Sequence, residues 1–105
     1  MNEKTNVARS LAALGHEARL DIFRLLVKAG HNGMTVGQIG THLDMAASTL
    51  SHHLRTLVDA ALVVQSKSGR EVVNTASFDE MTHVVHFLTD QCCTGIPIDD
   101  TESAA

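Results

Sequence analysis

The stretch 35-TVGQIGTHLDMAASTLSHHLRTLVDA-60 decides the fold, because it predicts two helices joined by a tight turn. Thr35 and Gln38 have the spacing of a capping box, which opens a short helix. Asp44 can occupy a turn or adopt a left-handed conformation after this helix. A longer helix over about 46 to 60 then carries its leucines on one side. A short and a long helix at this spacing fit a helix-turn-helix.

Two further helices are predicted before this unit, at residues 5–14 and 17–29. In the second of them Ala18, Ile22 and Leu25 recur at three- and four-residue steps. That period is typical of an amphipathic helix that packs one face against a core.

A change of period after the helix-turn-helix predicts a β-hairpin and then a last helix. Two β-rich runs, 62–65 and 71–75, flank the turn signal 66-SKSG-69. A second capping box, 77-SFDE-80, opens a helix that we predict to extend to about Cys93. The expected fold is therefore mainly α with a small β-hairpin, a winged helix-turn-helix in the order α-α-α-α-β-β-α.

Length and composition predict a single domain with an aliphatic core. The chain has 105 residues, of which three are Phe and none is Trp or Tyr. We predict a DNA-binding and dimerisation domain over residues 1–97 and an acidic flexible tail over 98–105. No export signal and no run of roughly 18–20 apolar residues is found, so we expect a cytoplasmic protein without a membrane partner.

The distribution of charge leaves DNA open as a partner although the net charge is −4. Residues 76–105 hold six acidic side chains and no Lys or Arg. Residues 1–75 therefore carry eight basic and six acidic side chains, a net charge of +2. Because a local positive surface can bind a polyanion, the global charge weakens this interpretation without excluding it.

The polar side of the longer helix and the tip of the hairpin are the predicted DNA contacts. Since the leucines mark the buried side, the opposite side offers hydroxyls, an imidazole and a guanidinium to phosphates and base edges. The predicted contacts are Ser48, Thr49, Ser51, His52, Arg55, Lys67 and Arg70. His53, next to the apolar side, is expected to be a half-buried packing or hydrogen-bonding residue rather than a base reader. The alternatives are an ordinary polar helix face, or an interaction module that merely has this shape.

Two segments, 11-LAALGHEARLDIFRLL-26 and 50-LSHHLRTLVDAALV-63, resemble the arsenic-repressor (ArsR/SmtB-type) family of small winged-helix regulators. The resemblance implies a homodimer formed by the first and last helices, bound to an imperfect palindrome of double-stranded DNA and released by a ligand. The sequence departs from the family at Ala46 and Ala47, where relatives often have polar residues, and at Ala61, where Gly is usual.

Cys92 and Cys93 are the predicted ligand residues, because they are the only thiols of the chain and stand side by side. Soft thiolates select thiophilic ions. Neighbouring side chains diverge by about 100° on a helix, so the helix end must relax before Gly95 and Pro97 if both sulfurs are to face one centre.

The thiol pair resembles the C-terminal vicinal cysteines of a subgroup of arsenite repressors, which implies trivalent arsenic as the inducer. Some members add a third cysteine, and 94-TGIPIDDTESAA-105 has none. Water, a small thiol, a group of the partner subunit or the carbon of a methylated arsenical is then the third ligand. Antimony, cadmium, mercury, oxidation of the thiols and no role at all remain as alternatives.

Other ligands and reaction classes have weaker support. Residues 35–44 lack the Cys-x-Cys of another arsenite-sensing subtype. Asp79, His83 and His86 share the last helix, but the upstream Asp-x-His partner of zinc-sensing relatives is missing, so zinc is not expected. An enzyme is not expected either, because the histidine nearest to the thiols, His86, is six residues before Cys92, and no glycine-rich cofactor loop is present.

Overall fold

The computed structural model describes residues 2–98, and their secondary structure follows the predicted order with one added strand. The elements are α1 (Glu3–Leu14), α2 (Glu17–Ala29), a 3₁₀ turn (Gly30–Asn32), β1 (Met34–Thr35), α3 (Val36–Leu43), α4 (Ala47–Asp59), β2 (Val63–Ser68), β3 (Glu71–Ala76) and α5 (Phe78–Thr89). The predicted winged helix-turn-helix is confirmed. The predicted acidic tail lies, after Ile98, outside the described residues.

The core is mainly aliphatic, with Phe23 also buried in it, and lies between α2, α3, α4 and the start of the hairpin. Its largest fully buried apolar side chains are Ile22, Leu26, Ile39, Leu50, Leu54, Leu57 and Leu62. Burial of each such side chain stabilises the fold by roughly 1.5–3 kcal/mol. Because α4 supplies three of these leucines, its orientation is fixed by the core.

Local hydrogen bonds explain where the helices of the helix-turn-helix begin and end. Thr35 Oγ1 accepts from the backbone N–H of Gln38 at 3.2 Å, and Gln38 Oε1 accepts from the N–H of Thr35 at 2.9 Å. This is the predicted capping box. Asp44 ends α3 in the left-handed conformation, at φ 53°, as its place in the turn predicts.

Strand β1 was not predicted, because two residues are too short to show a period. It pairs antiparallel with β3, with Met34 opposite Asn74, and makes the sheet three-stranded in the order β1-β3-β2. A Cβ atom on Gly33 would lie 2.5 Å from the carbonyl oxygen of Asn74. The chain therefore needs glycine where it enters this strand.

The prediction that the last helix extends to about Cys93 is wrong, since α5 ends at Thr89. Beyond it the backbone tightens, and the N–H of Cys92 donates to the carbonyl of Thr89 at 2.9 Å. Cys93 then adopts a left-handed conformation, at φ 63°, which cannot continue a right-handed helix. The thiols consequently lie on a turn after the helix. No helix among residues 2–98 is both long and apolar enough to cross a bilayer.

Candidate DNA-binding surface and thiol site

Helix α4 places the predicted contacts on its solvent side. Leu50, Leu54 and Leu57 hold the opposite side in the core. All the predicted α4 contacts are exposed: Ser48, Thr49, Ser51, His52 and Arg55. Ser51 and Arg55 line a cleft together with Gln65 of β2, so the helix and the hairpin form one continuous surface.

The amino end of α4 is open to an anion. Ala46 occupies the N-cap position and makes no side-chain hydrogen bond to the helix. The first N–H groups of a helix have no partner within it, and together with the helix dipole they attract phosphate. The alanine that departs from the family pattern therefore leaves these donors uncovered, next to the hydroxyls of Ser48 and Thr49.

The tip of the hairpin carries the two predicted basic contacts. Lys67 on β2 and Arg70 after it are both exposed, and Gly69 makes the turn between the strands at φ 65°. A left-handed residue at this position is typical of tight hairpin turns. Arg55 and these two side chains supply positive charge from both the helix and the hairpin, which suits a polyanion, while Asp59 and Glu71 add one negative charge to each element.

A buried amide holds the hairpin to the rest of the fold, and sequence reasoning missed it. Asn74 is fully buried; its Nδ2 donates to the carbonyl of Met34 at 3.2 Å, and its Oδ1 accepts from Gln65 Nε2 at 2.8 Å. It thus links all three strands. The available signal was an asparagine inside the otherwise β-forming run 72-VVNTA-76, where a polar residue needs a partner.

His53 on α4 is more buried than predicted, with 8% of its surface exposed. Its Nδ1 atom is buried without a hydrogen-bond partner. The ring lies 4.8 Å from that of His16 and 5.8 Å from that of His52, measured between centroids. Burial, and then the positive charges that His16, Arg19 and His52 can carry, lower the pKa of His53. Its imidazole is therefore neutral at neutral pH and packs on the buried side of α4.

Cys92 and Cys93 are both exposed, and their sulfur atoms lie 3.1 Å apart. The two side chains face each other because the chain has left the helix before this point. The hydrogen bond with Cys93 raises the pKa of the Cys92 thiol, since it stabilises the protonated form. The Cys92 thiol is therefore protonated at neutral pH, and both sulfur atoms are accessible to a reagent.

The histidines of the last helix do not form a comparable centre. His83 Nε2 lies 3.0 Å from a carboxylate oxygen of Glu3 on α1, which ties the two helices together. Within residues 2–98, no group of three or more His, Cys, Asp or Glu side chains is arranged to hold a metal ion.

The fold and the exposed face of α4 define a DNA-binding transcriptional regulator of the winged helix-turn-helix class. Comparison with known proteins agrees, since residues 14–66 match the family described as "Helix-turn-helix domain". The transcriptional activator HlyU of Vibrio cholerae is 31% identical over 83 residues, covering 79% of this chain and 74% of that protein. The chain belongs to the ArsR family of winged-helix transcriptional regulators.

Two further similarities are to a putative repressor and to a homodimeric domain. A putative arsenical resistance operon repressor ArsR from Halobacterium salinarum is 38% identical over 60 residues, covering 57% of this chain and 46% of that protein. The solution structure of a homodimeric winged helix-turn-helix DNA-binding domain from Mycobacterium bovis has a TM-score of 0.67 and 27% identity, covering 83% of this chain and 81% of that one.

Proposed function

We propose that this protein is a homodimeric transcriptional repressor that trivalent arsenic, bound through Cys92 and Cys93, releases from its promoter. The observation that carries the proposal is the 3.1 Å separation of two exposed sulfur atoms at the end of α5. The name of the Halobacterium salinarum relative, a putative arsenical resistance operon repressor, supports the choice of metalloid.

Exposed aliphatic side chains on α1 and α5 support the homodimer. Leu11 on α1 and Val85 and Leu88 on α5 are 40%, 57% and 59% exposed. Apolar surface left open on two neighbouring helices is typical of an interface. A second copy of the chain is the occupant because a two-fold interface uses the same patch on both subunits. The homodimeric state of the Mycobacterium bovis domain supports it.

In the proposed complex α4 enters the major groove and the hairpin tip contacts the DNA backbone. His52 and Arg55 donate to base edges or phosphates, and Ser48, Thr49 and Ser51 approach the backbone closely. Lys67 and Arg70 reach phosphates or the minor groove. Two such surfaces in a homodimer bind half-sites about 34–36 Å apart, which is an imperfect palindrome.

The protonated Cys92 thiol suits arsenous acid better than it suits an oxidant. Each thiol forms an S–As bond as an As–O bond breaks, and the two thiol protons leave with the two hydroxyl groups as water. Thiols that sense oxidants have a lowered pKa, whereas the pKa of Cys92 is raised. A hydroxyl, a small thiol, a partner-subunit group or a methyl carbon completes the coordination of arsenic.

The place of the thiols on the chain suggests how arsenic weakens DNA binding. They follow directly on α5, one of the two helices of the proposed interface. Fixing that end tilts one subunit against the other, so that the two α4 helices no longer match both half-sites. Coupling of this kind is typically worth 1–3 kcal/mol, a loss of affinity of about 5- to 150-fold.

Fluorescence anisotropy with a labelled duplex from the region upstream of the protein's own gene tests the proposal. Under strictly reducing conditions we expect salt-dependent binding, and release by arsenite, methylarsonous acid or antimonite. Cys92→Ser/Cys93→Ser should bind the duplex normally without release, while the neighbouring variant Thr94→Ser should respond as the wild type does. Release of the double serine variant by arsenite would exclude the thiol site. Absence of salt-dependent binding would exclude the DNA function.

A second candidate is a repressor that senses cadmium, mercury or oxidation through the same thiols. The 3.1 Å contact favours it as well, since two sulfurs this close can bind another soft ion or form a disulfide. In the oxidised case a peroxide accepts two electrons and two protons from the thiols and becomes water. The same anisotropy assay with cadmium, mercury and hydrogen peroxide ranks these inducers against arsenite.

A further inference from the structure

A buried hydroxyl on α1 lies where α1, the end of α4 and the start of α5 meet. Ser10 is fully buried, and its Oγ lies 2.9 Å from Oε1 of Glu80 in the first turn of α5. The same oxygen lies 3.5 Å from the carbonyl of Ala60, the residue that ends α4. One side chain of α1 therefore contacts both α5 and the end of α4.

The two contacts of this hydroxyl are unequal. Ser10 has a single proton to donate, and Glu80 offers a carboxylate at a favourable distance. The carbonyl of Ala60 is at the outer limit of hydrogen-bond geometry. The proton consequently lies on the Glu80 side while α5 is in the position seen here, and Ala60 is the acceptor within reach if Glu80 withdraws.

A second hydrogen bond joins α5 to the same turn. The N–H of Ser77, the N-cap of α5, donates to the carbonyl of Leu62 at 2.8 Å. The N–H of Leu62 in turn donates to the carbonyl of Leu57 in α4 at 3.0 Å. The end of α4 is thus linked to the start of α5 through the backbone of Leu62.

The backbone of this turn is held in an uncommon conformation. Ala61 has φ 63°, in the left-handed region that residues other than glycine rarely adopt. A cleft of about 170 Å³ lies beside it and is lined by Asn6, Arg9, Asp59, Ala60, Ala61 and Glu80. The carboxylate of Glu80 therefore has space into which to move away from Ser10.

We propose that Ser10 is a positioning residue that transmits the position of α5 to the DNA-reading helix α4. When α5 is docked, Ser10 and Glu80 hold its first turn against the end of α4. When a ligand at the far end of α5 tilts this helix, Glu80 leaves Ser10, and the 60–62 turn and α4 shift together. The inference rests on the proposed function, because it needs an effector that acts through α5.

Removal of the hydroxyl tests the inference through the ratio of DNA affinities with and without arsenite. Ser10→Ala should bind the duplex within about threefold of the wild type in the absence of arsenite. Its loss of affinity on saturation with arsenite should be about 2- to 30-fold smaller than that of the wild type, the range that residues of a coupling network change. Glu80→Gln, which keeps the acceptor and removes its charge, should fall between the two.

Three further measurements keep the outcome unambiguous. Thr41→Ala removes an exposed hydroxyl from α3, outside the junction, and should retain the full response. Thermal unfolding shows whether Ser10→Ala is folded at the assay temperature, and if it is not, Glu80→Gln decides alone. Arsenic binding, followed by the thiol-to-arsenic absorption band, should be unchanged in both variants.

The failure of this inference differs from the failure of the proposed function. If arsenite releases the wild type, and folded Ser10→Ala and Glu80→Gln release equally, Ser10 does not transmit the signal. If the wild type itself binds DNA and does not respond to any thiophilic ion, the sensing proposal fails before Ser10 is tested.

Discussion

The proposed DNA-binding surface and the thiol turn of this protein are built in opposite ways. Helix α4 rests on three fully buried leucines, and the hairpin is fixed by the buried amide of Asn74. Residues 90–98, by contrast, are all exposed, and Cys92 and Cys93 contact chiefly each other. The proposed DNA-binding surface is therefore preorganised, while the proposed sensor contributes nothing to the core.

This contrast implies that stability and ligand response can be separated by mutation. A rigid reading surface keeps its donors aligned with the DNA, so that a small tilt of the whole subunit suffices to lose affinity. A thiol turn without core contacts is free to adopt the geometry that its ligand requires. The contacts around Ser10 lie between the two regions.

The largest effect is expected from truncating a leucine of α4. Leu54→Ala removes a side chain that is 1% exposed and should lower the free energy of unfolding by about 2–5 kcal/mol. Cys92→Ser/Cys93→Ser should change it by less than about 0.5 kcal/mol. Urea unfolding followed by far-UV circular dichroism, at one protein concentration, compares the two. Val64→Ala, at a strand position that is 56% exposed, is the control. A destabilised double serine variant would show that the thiol turn is part of the core structure.

The pH dependence of ligand binding should distinguish arsenite from a divalent cation. Because the pKa of Cys92 is raised, its thiol is protonated near neutral pH. Cadmium must displace both thiol protons, so its affinity should rise by up to about 100-fold for each pH unit. When arsenous acid binds, the two thiol protons combine with its two departing hydroxyl groups and leave as water. No net proton is released, so its affinity should be nearly constant between about pH 6.5 and 7.5. Titration of each ligand at two pH values measures this, and a steep arsenite profile would contradict the proposed condensation.

Arg55→Ala should weaken DNA binding by a smaller factor that depends on sequence. A side chain that reads a base edge contributes about 1–3 kcal/mol, or 5- to 150-fold, against the wrong base. Arg70→Ala, at the hairpin tip, should instead weaken binding to all duplexes alike and reduce the salt slope by about 0.9. Anisotropy against operator and scrambled duplexes at several salt concentrations separates these roles. Equal losses on both duplexes for Arg55→Ala would reassign it to phosphate.

The fold was predictable because its signals are local and periodic. The capping box at Thr35, the leucine spacing of α4 and the hairpin turn at Gly69 each depend on a few neighbouring residues. Strand β1 was not predictable in the same way, since its partner Asn74 lies 40 residues away from Met34. The end of α5 was placed too late because no single residue before Gly95 breaks a helix.

The exposed residues of the candidate surface were predicted better than the buried residues that hold this surface in place. The exposure of Ser51 and Arg55 follows from the helical period alone. The hydrogen-bond acceptor of Ser10, by contrast, is Glu80, which lies 70 residues away in the chain. Pairwise contacts at such separations leave no periodic trace in one sequence. The same holds for His53, whose burial depends on how α4 packs against His16.

The smallest effect is expected at His53 on α4, whose buried Nδ1 atom has no hydrogen-bond partner. Its pKa is lowered from the ordinary 6.5, first by burial and then by His16, Arg19 and His52. The folded state therefore binds fewer protons than the unfolded state, and this contribution to stability is present above about pH 6.5 and lost as the pH falls below it.

His53→Phe keeps an aromatic ring on α4 and removes both the titration and the buried nitrogen that has no partner. Thermal unfolding between pH 5.5 and 7.5 should then show a flatter decline in stability towards acid than in the wild type. His42→Phe, at an exposed position on α3, is the control and should leave the decline unchanged. If His53→Phe declines as steeply as the wild type, the acid sensitivity arises elsewhere, and the support behind α4 is not the weak point of the reading surface.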